Sequence, residues 1–424
     1  MTPENHGPTT TSPARIRFAL LALAMGGFGI GATEFVAMGL LPDMAADLLP
    51  GLSAESADAA NAAAGWIISA YALGVVVGAP TIAAAAARWP RKRLILALLA
   101  AFSLGTIASA LLPTFELVVA ARFLAALPHG AYFGIASLVA ANLMGPGKRA
   151  RGVALVLSGL TIANVVGVPA ITWLGQQAGW RIAYLAVAGI FVATLLAVAA
   201  AVPWQPGDPG ATIGRELRIF TRTQAWFALA IGAVGFGGLF SVYSYVAPLA
   251  TEVTGLPSGA VPVVLVVFGL GMTIGNLVGG RLADWSVRRS MYLFFGVLAA
   301  ALVLLGLTAS HPLGLGAGVF LVGGAAAALS PTIQARLLDV ARDSQSIAAA
   351  LNHSALNIGN SVGAILGGVV IAAGLGYVAP VWVGLLLTVA GSMLALGTFA
   401  LDRARHRRGV PLPSVTGAIG AIGD

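Results

Sequence analysis

The chain has 424 residues, of which 58% are hydrophobic and only 9% charged, where an ordinary soluble domain carries about 25% charged residues. With 23 Lys and Arg against 15 Asp and Glu and a mean hydropathy of +0.92, there are too few polar side chains to cover a globule in water, which excludes a soluble enzyme and makes lipid the solvent. The net charge of +8 does not signal nucleic acid, because the basic residues sit in short clusters between apolar runs rather than on one soluble face, and the absence of cysteine removes disulfides, iron–sulfur clusters and Cys-based zinc sites.

Apolar runs of helical length fall at 18–41, 64–86, 94–112, 115–144, 153–174, 182–202, 226–249, 260–282, 292–308, 313–333, 347–371 and 381–401. Each approaches or exceeds the roughly 20 residues that span a bilayer, so the expectation is an all-α membrane protein with twelve transmembrane helices. The first run is too long for a signal-peptide core, contains Glu34 and is followed by Leu-Pro-Asp rather than small residues, so it stays in the mature protein.

Placing both termini in the cytoplasm puts 21 of the 23 basic residues on that side, including Arg15, Arg17, Arg88, Arg91, Lys92, Arg93, Lys148, Arg215, Arg218, Arg222, Arg342 and Arg408. Only Arg122, inside a run, and Arg181 are left over, whereas Asp43, Asp47, Glu55, Asp58, Glu116 and Glu252 fall outside. The one long interior polar stretch divides the chain into a tail 1–14, a six-helix half 15–203, a linker 204–224, a second half 225–402 and a tail 403–424. An internal repeat agrees with this division: Gly74 and Gly78 recur as Gly271 and Gly275 at an offset of 197, and Asn164 and Gly167 recur as Asn360 and Gly363 at 196. Duplicated six-helix halves are a transporter architecture with the substrate site between them near the midplane.

Glu34 is the only acid well inside an apolar run. A carboxylate in hydrocarbon is costly, so its side chain should face the bundle interior or water and is a candidate proton carrier. Gly31-Ala32-Thr33-Glu34-Phe35 running to Leu40-Leu41-Pro42-Asp43 resembles the helix 1 signature of the drug:proton antiporter branch of the major facilitator superfamily, which holds arabinose-efflux-permease-like and chloramphenicol-efflux proteins. In the fourth run, Arg122 and His129 are seven residues apart, two turns, hence on one face about 10 Å apart along the axis. An intramembrane Arg at this place, followed by Pro128-His129-Gly130-Ala131, is similar to the same branch; proton exchange for Arg122 and His129 stands beside the plainer readings of a fixed ion pair and a packing residue.

The fifth run has Gly159, Ala163 and Gly167 at four-residue spacing, then Val168-Pro169. Small residues permit close helix contact and the proline loosens the ladder; the pattern resembles the helix 5 motif of exporters with one residue inserted before Pro169. Between the eighth and ninth runs, Gly280-Arg281-Leu282-Ala283-Asp284-Trp285-Ser286-Val287-Arg288-Arg289 resembles the superfamily's Gly-x-Leu-Ala-Asp-Arg-x-Gly-Arg-Arg loop. Its first-half counterpart keeps Arg88, Arg91 and Lys92, but Ala87 replaces the acid. An acid beside arginines at a helix end could pair across the halves and hold one conformer, although topology-setting charge is the simpler account. In the eleventh run His353, Asn357 and Asn360 share a face; with Asn164 and Tyr245 they are candidate cavity residues.

No Gly-x-x-x-x-Gly-Lys-Ser/Thr loop, His-Glu-x-x-His run or metal-ligand spacing of the five His is present, so neither ATP-driven pumping, a metal nor a cofactor is expected. The resemblance implies a proton-driven exporter of a small molecule in a bacterial inner membrane, acting as a monomer by alternating access. An uncoupled or import-direction carrier of a sugar, nucleoside or amino acid is the alternative within transport, and a receptor using the fold without moving substrate is the alternative outside it.

Overall fold

The computed structural model describes residues 12–86, 88–145, 148–207, 223–341 and 345–407. Among these residues all regular structure is helical: α1 (Pro13–Gly39), α2 (Leu41–Leu48), α3 (Pro50–Glu55), α4 (Ala57–Ala86), α5 (Arg91–Leu111), α6 (Phe115–Ala126), α7 (His129–Met144), α8 (Arg149–Ile162), α9 (Val168–Ala178), α10 (Trp180–Ala201), α11 (Thr223–Gly235), α12 (Gly237–Tyr243), α13 (Val261–Thr308), α14 (Pro312–Ala341), α15 (Gln345–Ala372) and α16 (Ala379–Arg407). Eleven helices, counting stretches that run across a small break as one, are long and apolar enough to cross a membrane. Arg215, Arg218, Arg222, Arg342 and Arg408, and most of the expected linker, lie outside the described residues.

The eleven differ from the expected twelve at one place. The segment 280–289, expected as a loop, continues as helix inside the 48-residue α13, with a single extended residue, Ser286, at φ −166° and ψ 104°. Its hydroxyl accepts the N–H of Arg289 at 3.4 Å, the geometry of a helix N-cap, while the Ser290 hydroxyl donates to the Leu282 carbonyl at 2.6 Å. The neighbouring α14 shows what this does to the chain. Gly271, Gly275 and Gly279 lie against the backbone of Phe320, Gly324 and Ala328, in parallel order, whereas Leu305 and Thr308 lie against Gly318 and Gly314, in antiparallel order. The two arms of α13 therefore run in opposite directions, and each is longer than the roughly 20 residues a span requires.

Other breaks follow from proline. The fourth run is interrupted after α6 because Pro128 cannot donate the ladder bond, and Leu127 N–H donates instead to the Leu124 carbonyl, one residue short of the α-helical partner, at 3.3 Å. In the fifth, the donor missing at Pro169 is absorbed by a π turn over Ala163–Gly167, the kind of bulge that functional helices carry. At the end of α1 the chain forms α2 instead of a loop, burying Leu41, Met44, Ala45 and Leu48 along one face.

The internal repeat is visible in packing. Gly74 on α4 abuts the Phe123 carbonyl and Gly78 that of Leu127; 197 residues later Gly271 abuts the Phe320 carbonyl and Gly275 that of Gly324. A methyl at any of the four would stand within 2.2 Å of a backbone oxygen, so the same helix pair is clamped at the same level in both copies. Two ends of the bundle are distinct. At one, Arg15 Nε and Lys92 Nζ donate to the carbonyls of Ala201 and Ala199, placing cations at the C-terminus of α10 where the helix dipole favours them. Gln205, at the start of the expected linker, accepts from the backbone of Arg91 and from Asn142. At the other end, Arg181 donates to the Ala110 and Leu112 carbonyls and pairs with Asp47 at 3.1 Å. This basic residue outside the basic end is thus a cap for α5.

Candidate functional site

Glu34 lies in the half of α1 nearer the acidic end and is 5% exposed. Its Oε2 is 3.9 Å from Nδ1 of His129, the first residue of α7, and the Tyr71 hydroxyl of α4 is 3.4 Å from the same nitrogen. Asn360 of α15 faces the carboxyl from the C-terminal helices, with neither amide atom in a hydrogen bond of good geometry.

Arg122 is fully buried and does not pair directly with Glu34. Nη1 donates to the Thr33 hydroxyl at 3.0 Å and Nη2 to the Thr33 carbonyl at 2.9 Å. The guanidinium lies 4.2 Å from the Tyr71 ring centroid and 5.3 Å from that of Tyr184, so aromatic faces supply part of the solvation a membrane-embedded cation needs. Nε has no partner. The sequence reading singled out Arg122 and Glu34 but not Tyr71, Tyr184 or Thr33; the available signal was that a lone cation in an apolar run requires ring faces and acceptors on neighbouring helices.

His129 also meets the C-terminal helices. Its ring centroid is 5.9 Å from that of His353, and His353 stacks on Phe133 at 5.4 Å with an interplanar angle of 1°. Asn357 donates to the His353 carbonyl at 3.0 Å and its oxygen is unpartnered, as is that of Asn164 in the π turn. Tyr245, expected to face a cavity, sits instead where the two sets of helices close: its hydroxyl donates to the Ala364 carbonyl at 2.7 Å and lies against Gly65 of α4.

That closure lies at the acidic end. Asn61 donates to the Tyr377 hydroxyl at 2.8 Å and Gln176 to the Ser258 carbonyl at 2.9 Å; nearer the middle of the bundle, the π turn at Asn164 meets Gly269 backbone to backbone. The residues expected to act in conformational change are elsewhere. Gly167 packs on the Phe28 ring within the N-terminal helices, two residues before Pro169. At the basic end Gly280 has open space around it; Arg88, Asp284, Arg288 and Arg289 are exposed, with Arg289 5.1 Å over the Trp285 ring. Among the described residues no ion pair involves Asp284.

The sequence model of the Major Facilitator Superfamily matches residues 23–285 and again 229–421. The chain belongs to this superfamily. It is 38% identical to the inner membrane transport protein YdhP of Escherichia coli K12 over 86% of this chain and 91% of that protein. A chloramphenicol resistance protein of Streptomyces lividans is 32% identical over 88% of this chain and 93% of its own length. The fold matches the crystal structure of a D-xylose–proton symporter with a TM-score of 0.73, over 94% of this chain and 99% of that one, at 15% identity. The resemblance carried by the Glu34, Pro128-His129 and 280–289 segments therefore extends along the whole chain, which is a multi-pass membrane protein of a transporter family.

Proposed function

We propose that this protein is a proton-coupled exporter of a small molecule in a bacterial inner membrane. The observation that carries the reading is Glu34: a single carboxyl buried where the two sets of helices meet, within reach of His129 and faced by Asn360. A carboxyl there is costly to keep charged and holds its place by exchanging a proton. Export is supported by the relative named for chloramphenicol resistance.

In this reading the chain crosses the membrane twelve times, the two arms of α13 counting separately, with the basic end and both termini cytoplasmic. The halves 15–203 and 225–402 rock about the centre, joined by the linker 204–224, with protons and a small molecule as the only ligands and a monomer as the working unit. The conformer described is sealed on the outside. Asp284, with Arg288, Arg289 and the first-half cluster Arg88, Arg91 and Lys92, forms its contacts across the halves when the cytoplasmic side closes. Asn164, Asn357 and Asn360 present hydrogen-bonding groups to substrate, and Tyr245 joins them when the outer seam opens.

The test is efflux of a drug panel into inverted vesicles under an imposed pH gradient, with wild type and Glu34→Gln. Gradient-driven transport should vanish in the variant while substrate exchange persists. Transport unchanged by the substitution would refute coupling through Glu34 and favour an uncoupled or import-direction carrier.

A further inference from the structure

The proton reaching Glu34 must also leave, and the polar cluster continues in one direction. The titratable groups facing Glu34 and His129 are Tyr71 from α4, Arg122 from α6, Tyr184 from α10, Tyr243 from α12 and His353 from α15. Arginine does not deprotonate in proteins, and a tyrosine hydroxyl ordinarily ionises only near pH 10. Proton exchange near neutral pH is left to the carboxyl and the two imidazoles.

Their placement is graded. Glu34 and His129 are 5% and 1% exposed, whereas His353 is partly exposed. His129 lies seven residues beyond Arg122 toward the basic end, and His353 lies two turns nearer that end of α15 than Asn360, the residue facing Glu34. The path from acid to imidazole to imidazole therefore leads from the buried centre to a partly exposed imidazole nearer the basic end.

We infer that His129 and His353 form the proton exit from Glu34 to the basic end, with the last transfer crossing from the N-terminal to the C-terminal helices. The inference rests on the reading of Glu34 as the coupling acid. The Glu34 carboxylic acid, 3.9 Å from His129 Nδ1, gives its proton to that nitrogen through one bridging water and becomes a carboxylate. The imidazolium so formed releases a proton from its other nitrogen to His353, directly or through one bridging water, and His353 passes it to solvent. His129 is left neutral in the opposite tautomer, with the proton on Nδ1, and water-mediated loss of that proton with gain of one at the other nitrogen restores it. Because His353 belongs to the other set of helices, the exit is complete only while the sets touch at this level, as they do with the acidic end sealed.

The experiment needs no substrate. Vesicles with the basic end facing the bath are adsorbed on a solid-supported membrane, and a pH jump on that side drives a transient current as the acid is protonated or deprotonated. Glu34→Gln should abolish the current. His353→Ala should keep its total charge but slow it at least tenfold, and imidazole in the bath should restore the rate, which a merely structural role for His353 would not allow. His353→Gln, which fills the site without a titratable nitrogen, controls for folding and should be slow and unrescued. Wild-type kinetics in both His353 variants, or a slowing of His353→Ala that imidazole leaves unchanged, would overturn the exit path while leaving Glu34 in place. A current that survives in Glu34→Gln would overturn the coupling reading itself.

Discussion

The contact between Gly269 of α13 and the π turn predicts that one methyl group shifts the conformational equilibrium. A Cβ at Gly269 would stand 2.3 Å from the Asn164 carbonyl oxygen and 2.7 Å from its carbon, against the roughly 3.5 Å of an optimal contact, so the helices must part by about 1 Å. Both neighbours are backbone and cannot rotate aside. Overpacking of this kind costs about 1–3 kcal/mol. The contact joins the two sets of helices near the middle of the bundle, beneath the seam at the acidic end; in the proposed cycle it parts when that seam opens, so the cost falls on the sealed conformer and favours the open one by roughly 5–150-fold. The chain has no cysteine, so a single Ala64→Cys, buried behind the seam, reports opening by its rate of labelling with a membrane-impermeant maleimide added from the acidic side. Gly269→Ala should accelerate labelling within that range. Gly271→Ala is the matched control: its Cβ would stand 2.2 Å from the Phe320 carbonyl, but within the C-terminal helices, so it should lower stability without changing the labelling rate. Equal rates for Gly269→Ala and the parent, or acceleration by both substitutions, would refute the argument that this contact distinguishes the conformers.

Three further outcomes follow from local geometry. Arg122→Leu leaves the buried Thr33 carbonyl and hydroxyl without their donor and should cost about 1–3 kcal/mol, seen as a lower Tm in detergent; Arg122→Lys, a point charge without the planar fork, should recover only part of it. Arg181→Ala removes the donor to two carbonyls at the end of α5 and should be more damaging than Asp47→Asn, which breaks only a half-exposed ion pair of less than about 1 kcal/mol; thermal unfolding of both variants checks the order. Ser286→Ala removes the N-cap at the reversal in α13 and should cost about 0.5–2 kcal/mol, with Ser286→Asp close to wild type because an aspartate caps equally well.

The lipid-facing architecture was legible because it depends on composition and length alone. Twelve apolar runs, the charge asymmetry and the Gly74/Gly271 repeat can all be read without coordinates, and the glycines prove to mark equivalent backbone contacts. What the pattern could not supply was the behaviour of single residues inside helical sequence. Nothing in 280–289 distinguishes a loop from two helices joined at one extended serine, since every residue but that one keeps helical geometry. At the site, the rarity of charge in an apolar run pointed to Glu34 and Arg122, but spacing along one helix cannot show what another helix brings. Arg122 and His129 share a face and both meet Tyr71, yet their other partners differ: Thr33 and the Tyr184 ring for one, Glu34 and His353 for the other. Tyr245 drew notice as a polar group on an apolar helix, a description that fits a seam residue as well as a cavity residue.

The duplication is symmetrical in backbone and asymmetrical in chemistry. At the spacing that relates the glycine contacts, Glu34, Tyr71, Arg122, His129 and Tyr184 correspond to Ile231, Phe268, Val319, Ala326 and Val381, every one of them buried and apolar. At these five positions the second copy is apolar, and Asn360 and Tyr243, the polar groups it brings to the level of Glu34, stand elsewhere on its helices. Close backbone contacts suit a body that moves as a unit, whereas the acid and the buried arginine are kept to the first copy. The single carboxyl limits the cluster to one acid-borne proton at a time. His353, whose counterpart is Leu157 in the first copy at the offset of 196 that relates Asn164 to Asn360, is the imidazole that the C-terminal helices hold against His129. Separating the helices at that level would remove the contact, so in the proposed cycle the movement that exchanges the open side would also make and break the proposed route from Glu34 to the basic end.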